Sequence, residues 1–443
     1  MSDRKRLRIR SGGPLKGRIL LPGDKSLSHR SLLIASLADG VSRIENCLMA
    51  GVTETMIECL LALGVDVNIT KEPGYPALLI QGRTLRGLIP PSGPLNCRGS
   101  ATTMRLLAGA LAGQVFHSTL DGNRRLRMRP MDRIVEPLKA KGADIRTLNG
   151  NAPLMFSPSR LRSSEHVLPL ASAQVKSALL LAGLFSDGPT TVIEPHPSRD
   201  HLERLLRGLG VPLEDREDKQ GRHVVTLLAD GASLPPLNLR LPSDPSSAAF
   251  LAVAGLLVTD SEIEMPNLCL NPGRTGLFEA LDSMAADISI SEGPDSNGEP
   301  TGSITVRSAV LRGAAIGGRL VTRMIDEFPI FAVAATQAEG MTTVRDATEL
   351  RFKESDRIQA LAEELGKMGA VIQTRSDGFE IHGPVRLQGA VVNGRGDHRL
   401  AMSLAVAGLV ANGETVVEEC HVIRESFPGF PEVLRRLGAD VEW

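Results

Sequence analysis

The sequence predicts an α/β protein made of six copies of one βαβαββ unit, grouped as two domains of three. Three observations carry this: an Ala-rich helix that recurs six times, an amphipathic helix running into a short strand once per copy, and two Pro-containing stretches that split the copies evenly. The recurring helix reads GDKSLSHRSLLIASLADG, RGSATTMRLLAGALAG, SAQVKSALLLAGLFSDG, SDPSSAAFLAVAGLLVTD, IDEFPIFAVAATQAEG and GDHRLAMSLAVAGLVANG. The starts lie near residues 23, 98, 172, 243, 325 and 396, a period of roughly 70 to 80 residues.

Apolar on nearly every face, these six helices should be buried. The second helix of each copy, in LLALGVDV, LKAKGADI, LRGLGVPL, LDSMAADI, LGKMGAVI and LRRLGADV, keeps a charged face and belongs at the surface. Alternating segments such as HVVTLLA, GSITVRS and GFEIHG read as strands. A solenoid would require interchangeable caps, whereas these helix starts differ in chemistry from copy to copy. The stretches ILLPGDKS and LRLPSDPSS precede the first and fourth copies. Residues 22–244 should therefore form one domain, and residues 1–21 with 245–443 the other, with two hinge crossings between them.

Composition narrows the function. With 443 residues, 42% of them hydrophobic, the chain can bury a large core. A net charge of −1 gives no global basic field for nucleic acid, and no basic arm extends beyond MSDRKRLRIR. The five cysteines are far apart and form no CxxC pair, which reads as buried thiols in a reducing compartment. No apolar run reaches the roughly 18 residues of a membrane span, and the N-terminus has no signal core. A cytoplasmic protein is expected, without nucleic-acid or membrane partners and without a bound metal.

The helix starts carry the unusual chemistry. In PGDKSLSHRSLLIASLADG, Asp24 caps a helix whose first two turns hold Lys25 and Arg30. A cation there opposes the helix dipole by about 0.3–1 kcal/mol, and the free N–H groups favour an anion. A bound anion resolves the conflict. Arg129, Arg199, Lys353, Arg357 and Arg399 lie at or near other helix starts, where guanidinium forks and ammonium charges suit carboxylate and phosphate. Asp326 and Glu354 are the candidate acid/base carboxylates. Each group has a plain reading on its own: Asp326 as an N-cap, KESDR as a solvated helix start with local ion pairs, Arg129 and Arg199 as loop charges, His398 as a packed helix-start histidine. Brought together by pseudo-symmetry, they would bind two polyanionic substrates.

The motifs LPGDKSLSHR, ATTMR, RPM, ASAQVKSALLLAGL, SRDH, MIDEFP, KESDR and DHRLAMS, in this order over essentially the whole chain, resemble the enolpyruvyl transferase family. The similarity is greatest to its shikimate-3-phosphate branch, and ASAQVKSA and SRDH look like the glyphosate-tolerant subgroup. The resemblance implies a two-domain enolpyruvyl transferase fold, an inside-out α/β barrel of three βαβαββ repeats per domain. It implies a monomer of aromatic amino-acid biosynthesis that needs no cofactor. In the implied reaction, the 5-hydroxyl of shikimate-3-phosphate adds to phosphoenolpyruvate, and the tetrahedral intermediate loses phosphate. By resemblance, Lys25, Ser26, Arg30, Ser172, Ala173, Gln174, Arg199, Asp326 and Lys353 hold shikimate-3-phosphate. Lys25, Ala101, Arg129, Gln174, Arg357 and Arg399 hold phosphoenolpyruvate. Asp326, Glu354 and Lys25 share the proton transfers. An empty cleft lined by these cations would repel itself and close on substrate.

Some positions depart from the family pattern. Arg98, Gly99, Ser100, Ala101 and Thr102 stand where many members have Gly-Asn-Ala-Gly-Thr. The methyl of Ala101 implies weaker inhibition by glyphosate. Val52 replaces a frequent Asp, and Glu425 a frequent Lys, with Arg424 beside it as a substitute cation. The sister transferase acting on UDP-N-acetylglucosamine carries a Lys-Asn pair at the first helix and a Cys before its Arg-Pro motif. Here the pair is Lys25-Ser26, and DGNRRLRMRPM has no Cys. A non-catalytic sensor of phosphorylated metabolites would not need Asp326 and Glu354. An RNA-processing enzyme on a related repeat fold would need a basic surface and a histidine motif not found here.

Overall fold

The computed structural model describes residues 6–70, 77–228 and 233–443; the first five residues of MSDRKRLRIR lie outside them. The six Ala-rich segments form the helices Lys25–Leu37, Ala101–Leu111, Ala173–Gly183, Pro245–Leu257, Phe328–Gln337 and His398–Leu409. Beyond their first residues all six are buried almost throughout, as their apolar character requires. Short polar side chains start four of them: Asp24 accepts from the Leu27 amide, Ser100 from Thr103, Asp244 from Ser246 and Asp397 from Arg399. The second helices, Gly51–Ala62, Asp132–Ala140, His201–Gly208, Gly276–Ser283, Arg357–Lys367 and Phe430–Leu437, each lead into a strand.

Among the described residues the strands form six four-stranded sheets, one per copy. In the second copy, Leu95–Asn96 runs parallel to Ser118–Asp121, which pairs antiparallel with Asn151–Ser157. Three sheets recruit strands from distant parts of the chain: in the fourth copy, Lys16–Arg18 runs parallel to Glu262–Cys269. The first copy is completed by Asn238–Arg240, parallel to Val41–Glu45. In the sixth, Leu7–Arg10 inserts between Glu414–Glu418 and Asp440–Glu442, placing Leu7 opposite Val417 and Ile9 opposite Val441.

The chain divides into two compact units. One comprises Gly23–Leu241 with the turn Asp295–Glu299; the other comprises residues 1–22, Pro242–Pro294 and Pro300–Trp443. In the Gly23–Leu241 unit, the helices Ala101–Leu111 and Ala173–Gly183 approach so closely that a Cβ on Gly109 would stand 2.3 Å from the Ala178 carbonyl oxygen. Only glycine permits that spacing. In the other unit, Phe328 meets Phe331 and Phe379 edge to face at centroid distances of 6.2 and 6.4 Å. Cys59, Cys97, Cys269 and Cys420 are buried, while Cys47 is only half-buried. Among the described residues, no helix is long and apolar enough to cross a membrane.

Candidate active site

In the Gly23–Leu241 unit the expected residues gather at three helix starts. Lys25 and Ser26 are half-buried in the first turn of Lys25–Leu37. The carbonyls of both are used within this unit: His29 Nδ1 lies 2.8 Å from Lys25 O, and Arg30 Nη1 donates to Ser26 O at 3.1 Å. Burial drives His29 down to about 4, so its ring is neutral at physiological pH. Arg30 is 3% exposed, and its Nη2 donates to Ser177 Oγ at 2.9 Å, joining two of the buried helices. Arg30 therefore helps hold Ala173–Gly183 in place as well as adding charge.

Gln174 sits between two groups from the second copy. Arg105 Nη1 donates to its Oε1 at 2.5 Å, and its Nε2 donates to Thr102 Oγ1 at 2.9 Å. Arg105 Nη2 also reaches Pro130 O at 3.5 Å, tethering the loop that carries Arg129. Arg105 lay within the quoted motif ATTMR, yet sequence reasoning gave it no role. Its place between Gln174 and Pro130 depends on packing between copies, which spacing does not reveal. Ala101, at the helix start, is 5% exposed. Arg98 adopts φ +48 and pairs with Glu58 at 2.6 Å. That left-handed backbone favours glycine and strains an arginine. Val52 contributes through its carbonyl, which accepts from Thr103 Oγ1 at 3.3 Å and lies 3.2 Å from His29 Nε2.

Ser172 and Arg199 occupy neighbouring loops. The Ser172 amide and the Ser198 hydroxyl both donate to Glu194 Oε1, at 3.0 and 2.6 Å. Arg199, next in sequence, is half-buried.

The other unit holds the expected carboxylates. Asp326 does not cap the following helix, whose N-cap is Glu327. Its carboxylate faces two arginines instead, Oδ1 lying 3.8 Å from Arg357 Nη1 and Oδ2 3.8 Å from Arg399 Nη2. Glu354 Oε2 is 2.8 Å from Arg357 Nη2, in an ion pair whose arginine side chain is only 1% exposed. Asp397, fully buried, accepts from Arg357 Nε at 2.8 Å and from the Arg399 amide at 2.9 Å, locking both arginines to one helix start. Burial opposes ionisation of Asp397, but the charge of Arg357 outweighs it and lowers the pKa. Arg357 Nη1 has no hydrogen-bond partner among the described residues and remains a buried donor beside Asp326 and Glu354. Desolvation depresses the half-buried Lys353, with Asp326 opposing the shift. Arg399 Nη1 lies 3.7 Å from Glu327, which accepts from Ser246 Oγ, itself 2.9 Å from Arg274. His398 is packed, at 7% exposure. Arg424 and Glu425 are exposed on the turn Cys420–Glu425.

Sequence reasoning missed Asp397 and Glu327 because each lies beside a residue with more conspicuous chemistry, Arg399 and Asp326. A capping acid before a helix-start arginine was the signal available for Asp397.

Comparison with known proteins shows the family of the chain. The family model described as EPSP synthase (3-phosphoshikimate 1-carboxyvinyltransferase) matches residues 9–434. A 3-phosphoshikimate 1-carboxyvinyltransferase from Salinibacter ruber is 47% identical over 97% of this chain and 98% of its own length. One from Herpetosiphon aurantiacus is 46% identical over 94% and 95%. The solved EPSP synthase of Acinetobacter baumannii superposes with a TM-score of 0.86 at 36% identity, covering 99% of each chain. The enolpyruvyl transferase NikO of Streptomyces tendae, 20% identical with a TM-score of 0.79 over 99% of each chain, shares the fold. The chain, with its six repeats, arginine-held carboxylates and cationic helix starts, belongs to the EPSP synthase (3-phosphoshikimate 1-carboxyvinyltransferase) family.

Proposed function

We propose that this protein transfers the enolpyruvyl group of phosphoenolpyruvate to the 5-hydroxyl of shikimate-3-phosphate, releasing phosphate. The observation that carries the reading is the buried Arg357 guanidinium, whose Nη1 makes no hydrogen bond among the described residues and which lies beside two carboxylates; this supports an anion site next to an acid/base pair. Asp326 takes the proton of the attacking hydroxyl. Glu354 exchanges the proton at the methylene carbon with Lys25 assisting, and the tetrahedral intermediate then expels phosphate. Lys25, Ser26, Arg30, Ser172, Ala173, Gln174, Arg199, Asp326 and Lys353 bind shikimate-3-phosphate. Lys25, Arg129, Gln174, Arg357 and Arg399 bind phosphoenolpyruvate beside Ala101. Fixed cations offset the Coulomb cost of joining two polyanions.

On this reading the enzyme acts as a cytoplasmic monomer without a cofactor, and its turnover survives EDTA. Phosphate release should require phosphoenolpyruvate and shikimate-3-phosphate and be absent with UDP-N-acetylglucosamine. Glu354→Gln should lower kcat by about 10²- to 10⁴-fold, the range of a lost general acid/base. Undiminished turnover in that variant removes Glu354 from the chemistry, and turnover with the UDP-sugar assigns the protein to the sister reaction.

A further inference from the structure

Beneath the Ser172 and Arg199 loops lies a charge cluster for which the chemistry above has no use. Lys176, Glu194 and Glu203 all have fully buried side chains, with Lys176 Nζ 2.8 Å from Glu194 Oε2 and 2.7 Å from Glu203 Oε1. Burying such ions is costly, and apolar residues of similar size would often serve stability as well. The hydrogen bonds of Glu194 suggest why it is charged. Its Oε1 accepts from the Ser172 amide at 3.0 Å and Ser198 Oγ at 2.6 Å, and its Oε2 from the Ser198 amide at 3.3 Å. Lys176 Nζ also reaches Ser198 O at 3.4 Å. Two loops from different elements thus converge on one carboxylate. One precedes the helix Ala173–Gly183; the other, EPHPSRD, has prolines at 195 and 197 and so has no backbone donor at those two positions.

We propose that Glu194, oriented by Lys176, is a positioning residue for shikimate-3-phosphate. It sets the spacing between the start of the Ala173–Gly183 helix and Arg199 so that both reach the same phosphate. Charge-assisted hydrogen bonds are shorter and stronger than neutral ones, so a carboxylate fixes the two loops more tightly than an amide. The inference rests on the proposed roles of Ser172, Gln174 and Arg199. Glu194 itself touches no substrate.

The test is steady-state kinetics of Glu194→Gln, Ser198→Ala and Arg199→Ala, varying each substrate separately. Glu194→Gln should raise the KM for shikimate-3-phosphate about tenfold and Ser198→Ala about threefold, while the KM for phosphoenolpyruvate stays within about twofold. A purely structural role would shift both constants together or only lower Tm, and either result overturns the proposal. Ser198→Ala removes one hydroxyl from a loop, so it reads the effect even where Glu194→Gln folds poorly. If Arg199→Ala raises the shikimate-3-phosphate KM and the other two variants do not, the positioning role fails alone. If Arg199→Ala changes nothing, the assignment of the phosphate site fails with it.

Discussion

Arg357 makes the strongest single-residue prediction. Its side chain is 1% exposed and holds the fully buried Asp397, so Arg357→Ala leaves a carboxylate without its counter-ion. Breaking a buried pair in this way costs about 3–5 kcal/mol, which denaturant titration should register alongside lost activity. Ala101 is a different case, because its 5% exposure at a helix start leaves little room around the added methyl. Ala101→Gly should lower the glyphosate concentration for half inhibition by about tenfold, equivalent to about 1.4 kcal/mol of binding. Equal sensitivity of the two proteins would refute that role. Lys25, Arg399 and Asp326 could be singled out from sequence because charge at the head of an apolar helix calls for a partner, and Arg357 and Glu354 because they cluster with Lys353 at another helix start. Arg105 and Glu194 could not, since their importance lies in which loops they join, and Asp397 offered only its place as a capping acid before a helix-start arginine.

At the scale of elements, the strand His223–Leu227 makes stability depend on pH. Burial disfavours a charged His223, but hydrogen bonds to Asp215 at 2.8 Å and Glu194 at 3.4 Å outweigh it and raise the pKa to about 9, with Lys176 opposing. A raised pKa means stability that is fully present below the ordinary 6.5 and lost as pH climbs through about 9. Glu194 has the opposite sign. Burial would raise it, yet Lys176, His223 and Ser198 bring it to about 2, so its contribution is present above the ordinary 4.5 and disappears as pH falls toward 2. Thermal melts should therefore show His223→Gln losing less Tm than the parent between about pH 7 and pH 9.5. The six buried helices were legible in sequence because an all-round apolar surface admits one environment. The identity of the cap was less so: Asp326 looked like the start of its helix, but Glu327 holds that position.

For the molecule as a whole, the closing strands matter most. Leu7 and Ile9 are fully buried within the sixth sheet, between strands more than 400 residues later in the chain. Deleting the chain through Arg10 should destabilise that unit by roughly 3–6 kcal/mol, from about 1.5–3 kcal/mol for each buried side chain. Hydrogen exchange of Val417 and Val441 should accelerate, while amides of the Gly23–Leu241 unit stay protected. Uniform acceleration through both units would instead show that they unfold together.

By itself, the sequence determined the repeated unit, the number of copies, the buried and exposed helices, and the cations and carboxylates that point to phosphorylated substrates. These features depend on local periodicity and on the cost of charge next to apolar surface, and both are written into neighbouring residues. Only the tertiary structure decided that Asn238–Arg240 and Leu7–Arg10 complete the first and last sheets. It also decided that Asp397 joins Arg357 to the Arg399 helix, and that Glu194 joins the Ser172 and Ser198 loops. Strand partners and buried hydrogen bonds are selected by geometry across long loops, where many pairings have similar local propensity and packing of the whole unit selects one.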